Sequence, residues 1–131
     1  MTIQTQQTGN FIAIHHVSVV VADVRKSLDF YCGILGLQQD HERPGLSFDG
    51  AWLAVDAANT QQIHLLQVDN PDSTTRPEHG GRDRHTAFRV KNIDLIEASL
   101  KQHNIPFTQS QSGRVALFCR DPDGNTLEIM Q

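Results

Sequence analysis

The feature that most constrains this chain is an internal duplication. HVSVVVADV from His16 lies over HTAFRVKNI from His85, and each copy reads as a histidine opening a strand, then a polar turn, then a helix. Near the end of each copy an apolar quartet is interrupted at one position, so that Ile63-His64-Leu65-Leu66 lies over Leu127-Glu128-Ile129-Met130. Two copies of one supersecondary unit fold as two like modules, which gives His16 and His85 equivalent places and pairs His64 with Glu128. Four side chains of metal-ligand type therefore occupy two pairs of equivalent positions.

Local patterning fills in each module. From Ile14 to Val21 the run IHHVSVVV is β-branched and apolar at alternate positions, which predicts a strand with His16, Ser18 and Val20 on one face. The same alternation puts His15 on the opposite face, as a structural or solvated residue. Asp23 then caps a helix whose apolar positions are Val24, Leu28, Tyr31 and Leu35, with Gly36 as its stop. Three more strands are expected around Gln38 to Glu42, Trp52 to Val55 and Gln62 to Val68, separated by turn formers such as Pro44-Gly45 and Asp49-Gly50. Residues 69–81, DNPDSTTRPEHGG, have the composition of a linker. The second copy opens with a strand from His85 to Val90 and a helix capped by Asn92, with Ile93, Ile96 and Leu100 on one side. It ends with VALFCR and TLEIMQ around the turn Asp121-Pro122-Asp123-Gly124-Asn125. The expectation is one α+β domain over residues 14–131, built from two βαβββ modules (about 14–68 and 82–131) after a flexible tail over residues 1–13.

At 131 residues the chain can bury a core without disulfides or a structural metal, so a metal here would be functional. It carries 11 Lys and Arg against 15 Asp and Glu, a formal charge of −4 with no basic run, which argues against a nucleic-acid or anionic-membrane partner and for a small ligand. Cys32 and Cys119 form no motif and are expected to be buried reduced thiols, consistent with a cytoplasmic setting. Met1 to Asn10 contains no apolar targeting core, and nowhere do 18 apolar residues run together, so neither export nor membrane insertion is expected.

The duplicated βαβββ pattern, the DPDGN turn, the Glu four residues after its Gly, and the HV and RHTAF strand starts resemble the vicinal oxygen chelate superfamily over nearly the whole chain from Ile14. That superfamily includes glyoxalase I, fosfomycin-resistance thiol transferases, methylmalonyl-CoA epimerase, extradiol dioxygenases and bleomycin-binding proteins. The resemblance implies a curved mixed sheet forming a cup around one divalent metal ion, with His16, His85 and Glu128 matching ligand positions and His64 at the remaining one. It also implies a homodimer, because many short members complete the cup or bury a sheet face between two chains.

Two imidazoles and a carboxylate suit Ni, Zn, Co, Mn or Fe, and the absence of a thiolate argues against a closed structural zinc site. With His64 in the donor set, two open positions remain on an octahedral ion. That favours glyoxalase I-like chemistry, an enediolate stabilised by the metal while Glu128 moves a proton. With His64 off the metal, three positions remain, which suits an Fe(II)-dependent extradiol-type dioxygenase in which His64 is the acid/base. Those enzymes generally carry a Tyr ten residues before the ligand Glu, where this chain has Phe118. Fosfomycin-type transferases carry a C-terminal basic segment, and this chain has three residues after Glu128. A third class is a non-catalytic protein that sequesters a small molecule such as an antibiotic, using the cup without metal.

Arginines are the expected anchors for an anionic substrate. Arg84, Arg89, Arg114 and Arg120 are assigned to substrate, with Arg82 and Arg43 as further candidates; Arg89 shares the His85 face by alternation. Trp52 and Phe48 are candidates for an apolar wall. His41, His79 and His103 have no partners at ligand spacing and carry no assignment.

Overall fold

A computed structural model describes residues 9–131. Most of the expected N-terminal tail, residues 1–8, lies outside them, and residues 9–13 form neither strand nor helix. The first module comprises β1 (His16–Val20), α1 (Val24–Leu28) with a π-helical continuation over Asp29–Ile34, β2 (Gln38–Asp40), β3 (Gly50–Ala54) and β4 (Gln62–Leu66). A 3-10 turn over Gly80–Arg82 precedes the second module of β5 (His85–Arg89), α2 (Ile93–Gln102), β6 (Phe107–Gln109), β7 (Ala116–Arg120) and β8 (Thr126–Met130). Each module makes a four-stranded mixed sheet, ordered β1-β4-β3-β2 and β5-β8-β7-β6. In both sheets the first strand runs parallel to the last, and the middle strands are antiparallel hairpin partners. These are the two βαβββ units read from the duplication.

The pleat sorts the residues. Val17, Val19, Leu53, Ile63 and Leu65 face the first helix and join the core, as Phe88, Leu117, Cys119, Leu127 and Ile129 do in the second module. The opposite face carries the polar interruptions. His16 pairs in register with Gln62, Ser18 with His64, and Trp52 with His64 from the other side. Ala87 and Phe118 flank Glu128 in the same manner.

The first helix departs from the single α-helix that its 3.6-residue pattern predicts. Asp23 caps it as expected, its carboxylate accepting from the N–H of Arg25 at 2.9 Å. After Leu28 it widens, and Leu35 N–H donates to the carbonyl of Phe30. The wider turn lets two consecutive aromatics, Phe30 and Tyr31, both reach the core, where neither is more than 2% exposed. The sharp end at Gly36 is as read, with a φ of +85° that favours glycine.

The DPDGN turn joins the modules. The Asp121 carboxylate accepts from the Tyr31 hydroxyl and the Asn125 side-chain amide, each at 2.8 Å, and from the backbone N–H groups of Asp123 and Asn125. Asn125 in turn donates to the Val20 carbonyl at 3.0 Å, and Asp123 accepts from Ala22 N–H at 3.0 Å. A turn of the second module thereby holds both the end of β1 and the core of the first helix. Among the described residues no helix is long and apolar enough to cross a membrane.

Candidate functional site

The four duplicated positions come together as two pairs. In the first module the His64 ring lies between those of His16 (centroids 3.9 Å apart, planes 13° from parallel) and Trp52 (4.6 Å, 9°). His64 is buried, and its tautomer follows from its surroundings. Gln62 donates its amide protons to Asp40 and Asn59, each at 2.8 Å, so its carbonyl oxygen must accept, and it does so from His64 Nε2–H at 2.7 Å. Burial, reinforced by the neighbouring His16, pushes the His64 pKa down to about 4, so the ring stays neutral with only Nδ1 as a lone pair.

In the second module, His85 Nε2 stands 3.1 Å from Glu128 Oε1, and His85 Nδ1 lies 2.8 Å from the Asp83 carbonyl oxygen. A carbonyl can only accept, so Nδ1 carries a proton. Nε2 can then meet a carboxylate only as the second N–H of an imidazolium, or as a lone pair that shares a cation with it. This is the donor chemistry a divalent metal needs, an imidazole with its outer nitrogen held by a carbonyl and a carboxylate alongside. Glu128 is buried, and its second oxygen is 4.0 Å from Arg114.

The pairs do not merge within one chain. Among the described residues, no three His, Cys, Asp or Glu side chains converge on a point that could hold a metal. His16 and His64 as oriented also cannot both serve one ion, because nearly parallel rings aim their in-plane lone pairs along separate planes. His16 is exposed and free to turn, whereas His64 is pinned on both faces.

A pocket of about 390 Å³ opens on the His85–Glu128 pair, with His79, Arg82, Arg114 and Ser112 in its wall. His79 had no ligand spacing to single it out. The glycine-rich turn after it brings it there, its Nδ1 2.8 Å from the Thr108 hydroxyl and its ring edge-on to Phe118 at 5.2 Å. Phe118 meets His85 in the same way at 5.1 Å, so one aromatic seats both histidines. The sequence signal for His79 was its place before Gly80-Gly81, which looked like linker.

The other arginines divide. Arg89 lines a cleft of about 840 Å³ shared with His15, His16 and Gln62, away from the pocket at Glu128. Arg84 is exposed and paired with Asp72. Arg120, expected at the substrate, is instead spent inside the protein. It donates to Asp83 (2.8 Å), Thr126 (2.6 Å), the Gly124 carbonyl (2.9 Å) and the Pro77 carbonyl. Arg43 is occupied likewise, giving its guanidinium to the Phe48 carbonyl at 2.8 Å. His15 also departs from expectation, since its Nδ1 contacts His16 Nδ1 at 2.8 Å. His15 stands at the end of β1, where its carbonyl still accepts from Gln62 N–H at 3.0 Å while its exposed ring turns to His16.

Comparison with known proteins agrees with this architecture. The family model of the glyoxalase/bleomycin resistance protein/dioxygenase superfamily matches residues 13–129. The chain is 34% identical to protein YaeR of Escherichia coli (strain K12) over 128 residues, covering 90% of this chain and 95% of that one. It is 29% identical to "Glyoxylase I 4" of Arabidopsis thaliana, covering 89% of this chain and 69% of the relative. The antibiotic-binding protein TnmS3 of a Streptomyces species shares the fold, with a TM-score of 0.70 at 23% identity over 92% of this chain and 96% of that one. The duplicated modules, their strand order and the family-model match over residues 13–129 together show that the chain belongs to the glyoxalase/bleomycin resistance protein/dioxygenase superfamily.

Proposed function

We propose that the protein is a mononuclear divalent-metal enzyme of the glyoxalase I type, which isomerises a small substrate bearing adjacent oxygens. The observation that carries this reading is the His85–Glu128 contact of 3.1 Å, with the outer nitrogen of His85 committed to a carbonyl and a polar pocket opening beside it. His16, His64, His85 and Glu128 are the assigned metal donors, with His64 offering Nδ1 from a ring held by Gln62 and Trp52 and the exposed His16 turning to meet it. A bound divalent cation supplies Lewis acidity toward the two substrate oxygens. Glu128 takes the proton from the carbon beside the carbonyl and returns it to the neighbouring carbon. Arg114 and Arg82, in the wall of the same pocket, attract an anionic group on the substrate.

Because the two pairs stand apart in one chain among the described residues, the full donor set is assigned to a homodimer, His16 with His64 coming from one copy and His85 with Glu128 from the other. The test is solvent-proton exchange by metal-loaded protein across a panel of 2-oxoaldehydes and their thiohemiacetals. Exchange at the carbon next to the carbonyl, lost in Glu128→Gln, is the expected result. Its absence over the whole panel sinks the reading.

One observation favours a second reading, an Fe(II)-dependent extradiol-type dioxygenase. His64 is a proton-bearing imidazole pinned by Gln62 and the stacked His16, and with only His16, His85 and Glu128 on the metal it would stand where an acid/base for ring opening is needed. Oxygen consumption with catechols by the iron-loaded protein is the discriminating assay.

A further inference from the structure

His85 is held by a device that the duplication does not predict. The Asp83 side chain is 7% exposed and receives four kinds of donor. Arg76 binds it through Nε at 3.0 Å and through a terminal nitrogen at 2.6 Å, Arg120 at 2.8 Å, and the Thr126 hydroxyl at 3.1 Å. The fourth is the backbone N–H of Arg84, which donates to Asp83 Oδ1 at 2.8 Å. That N–H belongs to the same peptide unit as the Asp83 carbonyl, which accepts from His85 Nδ1 at 2.8 Å. A planar peptide cannot turn its C=O without turning its N–H. The carboxylate therefore sets the direction of the carbonyl, and the carbonyl sets which nitrogen of His85 bears the proton.

We propose that Asp83, clamped by Arg76 and Arg120, is the positioning residue that locks His85 in its Nδ1–H form and aims Nε2 at Glu128. The arginines come from the segment before the second module and from β7, and Thr126 from β8, so the lock reports that the second module is fully assembled. Among the described residues His16, the duplicate of His85, has no counterpart: its Nδ1 meets only the exposed His15. The two duplicated imidazoles thus differ, His85 pre-set and His16 adjustable. Arg120 loses its expected role as a substrate anchor and gains this one.

The lock stands on geometry alone; its consequence for metal binding rests on the function proposed above. The test is nitrogen NMR of the His85 ring in metal-free protein, comparing wild type with Asp83→Asn and with Arg76→Ala. The second variant removes one clamp from a side chain that is 18% exposed, and so guards against misfolding of the first. Every wild-type ring is expected to carry the Nδ1 proton, with Nε2–H present only as the second proton of an imidazolium facing Glu128, and either variant to add neutral rings protonated at Nε2 alone, at unchanged near-ultraviolet circular dichroism. Zinc titration of the variants is expected to give an affinity about 10–100-fold below wild type. A wild-type ring that is not Nδ1-protonated, or a folded Asp83→Asn and Arg76→Ala pair with the wild-type ring state, overturns the lock. Failure of the function reads out separately, as wild-type protein with the Nδ1-protonated ring that takes up no zinc.

Discussion

The ring of His64 lies flat on that of His16, 3.9 Å between centroids, with Trp52 closing its other face at 4.6 Å. Stacking and the bond to Gln62 leave His64 one position, whereas His16 is exposed and can rotate. His64→Phe preserves the stack and removes both nitrogens. Metal content measured per chain should fall well below that of wild type, because His64 Nδ1 is one of the four assigned donors. Metal content near that of wild type would take His64 off the metal and favour the dioxygenase reading.

Separation of the two pairs within a chain predicts complementation between inactive variants. If each site takes His16 from one copy and His85 from the other, His16→Ala and His85→Ala are each inactive as homodimers. Unfolded together and refolded, half of the dimers are mixed, and each mixed dimer has one intact site. About a quarter of wild-type metal uptake and turnover should return. No recovery would place each whole site inside one chain.

Tyr31 ties the first helix to Asp121 across the module joint, and its burial with the Asp121 charge raises its pKa far above the ordinary 10.0. The unfolded chain ionises Tyr31 near pH 10 while the folded one does not. The stability this group contributes is thus complete below about pH 10 and is lost as pH rises beyond it. Tyr31→Phe removes a donor from a buried carboxylate and should cost about 1–3 kcal/mol at neutral pH. Urea midpoints followed from pH 7 to 11 should fall less steeply in the variant than in wild type. An equal alkaline slope would mean that Tyr31 ionises in the folded state.

Gly80 lets the 3-10 turn lie on β7 and β8. A Cβ there would come within 2.6 Å of Thr126 Cγ2 and 2.9 Å of Phe118 Cβ. Gly80→Ala should lower stability by about 1–3 kcal/mol and lift the turn that carries His79 and Arg82 over the pocket. Thermal unfolding gives the first effect. The second should appear as a higher KM with kcat little changed, since Glu128 is untouched.

Much of the fold could be read from the chain because its signals are local. A period of two over HVSVV and HTAFR marks the strands, Asp23 and Asn92 do cap helices, and the repeat pairs the modules. The same period puts His16 on the face of His64, and His85 on the face of Glu128, so each pair was legible. The widened helix was not, since its cause is the shared burial of Phe30 and Tyr31 in a core the pattern does not describe.

What the sequence by itself determined is therefore the number of modules, the faces of their strands, and the four residues at equivalent places. Tertiary structure decided what those residues have for neighbours. Whether an arginine meets substrate depends on which carboxylate lies within reach, and Arg120 found Asp83, contributed by a distant part of the chain. His79 entered the pocket because a glycine turn folds over Phe118, and the exposed ring of His15, at the end of β1, turned to His16. Side-chain periodicity is a property of one strand. Tautomer, pairing and the distance between two half-sites are properties of elements brought together, and no single strand encodes them.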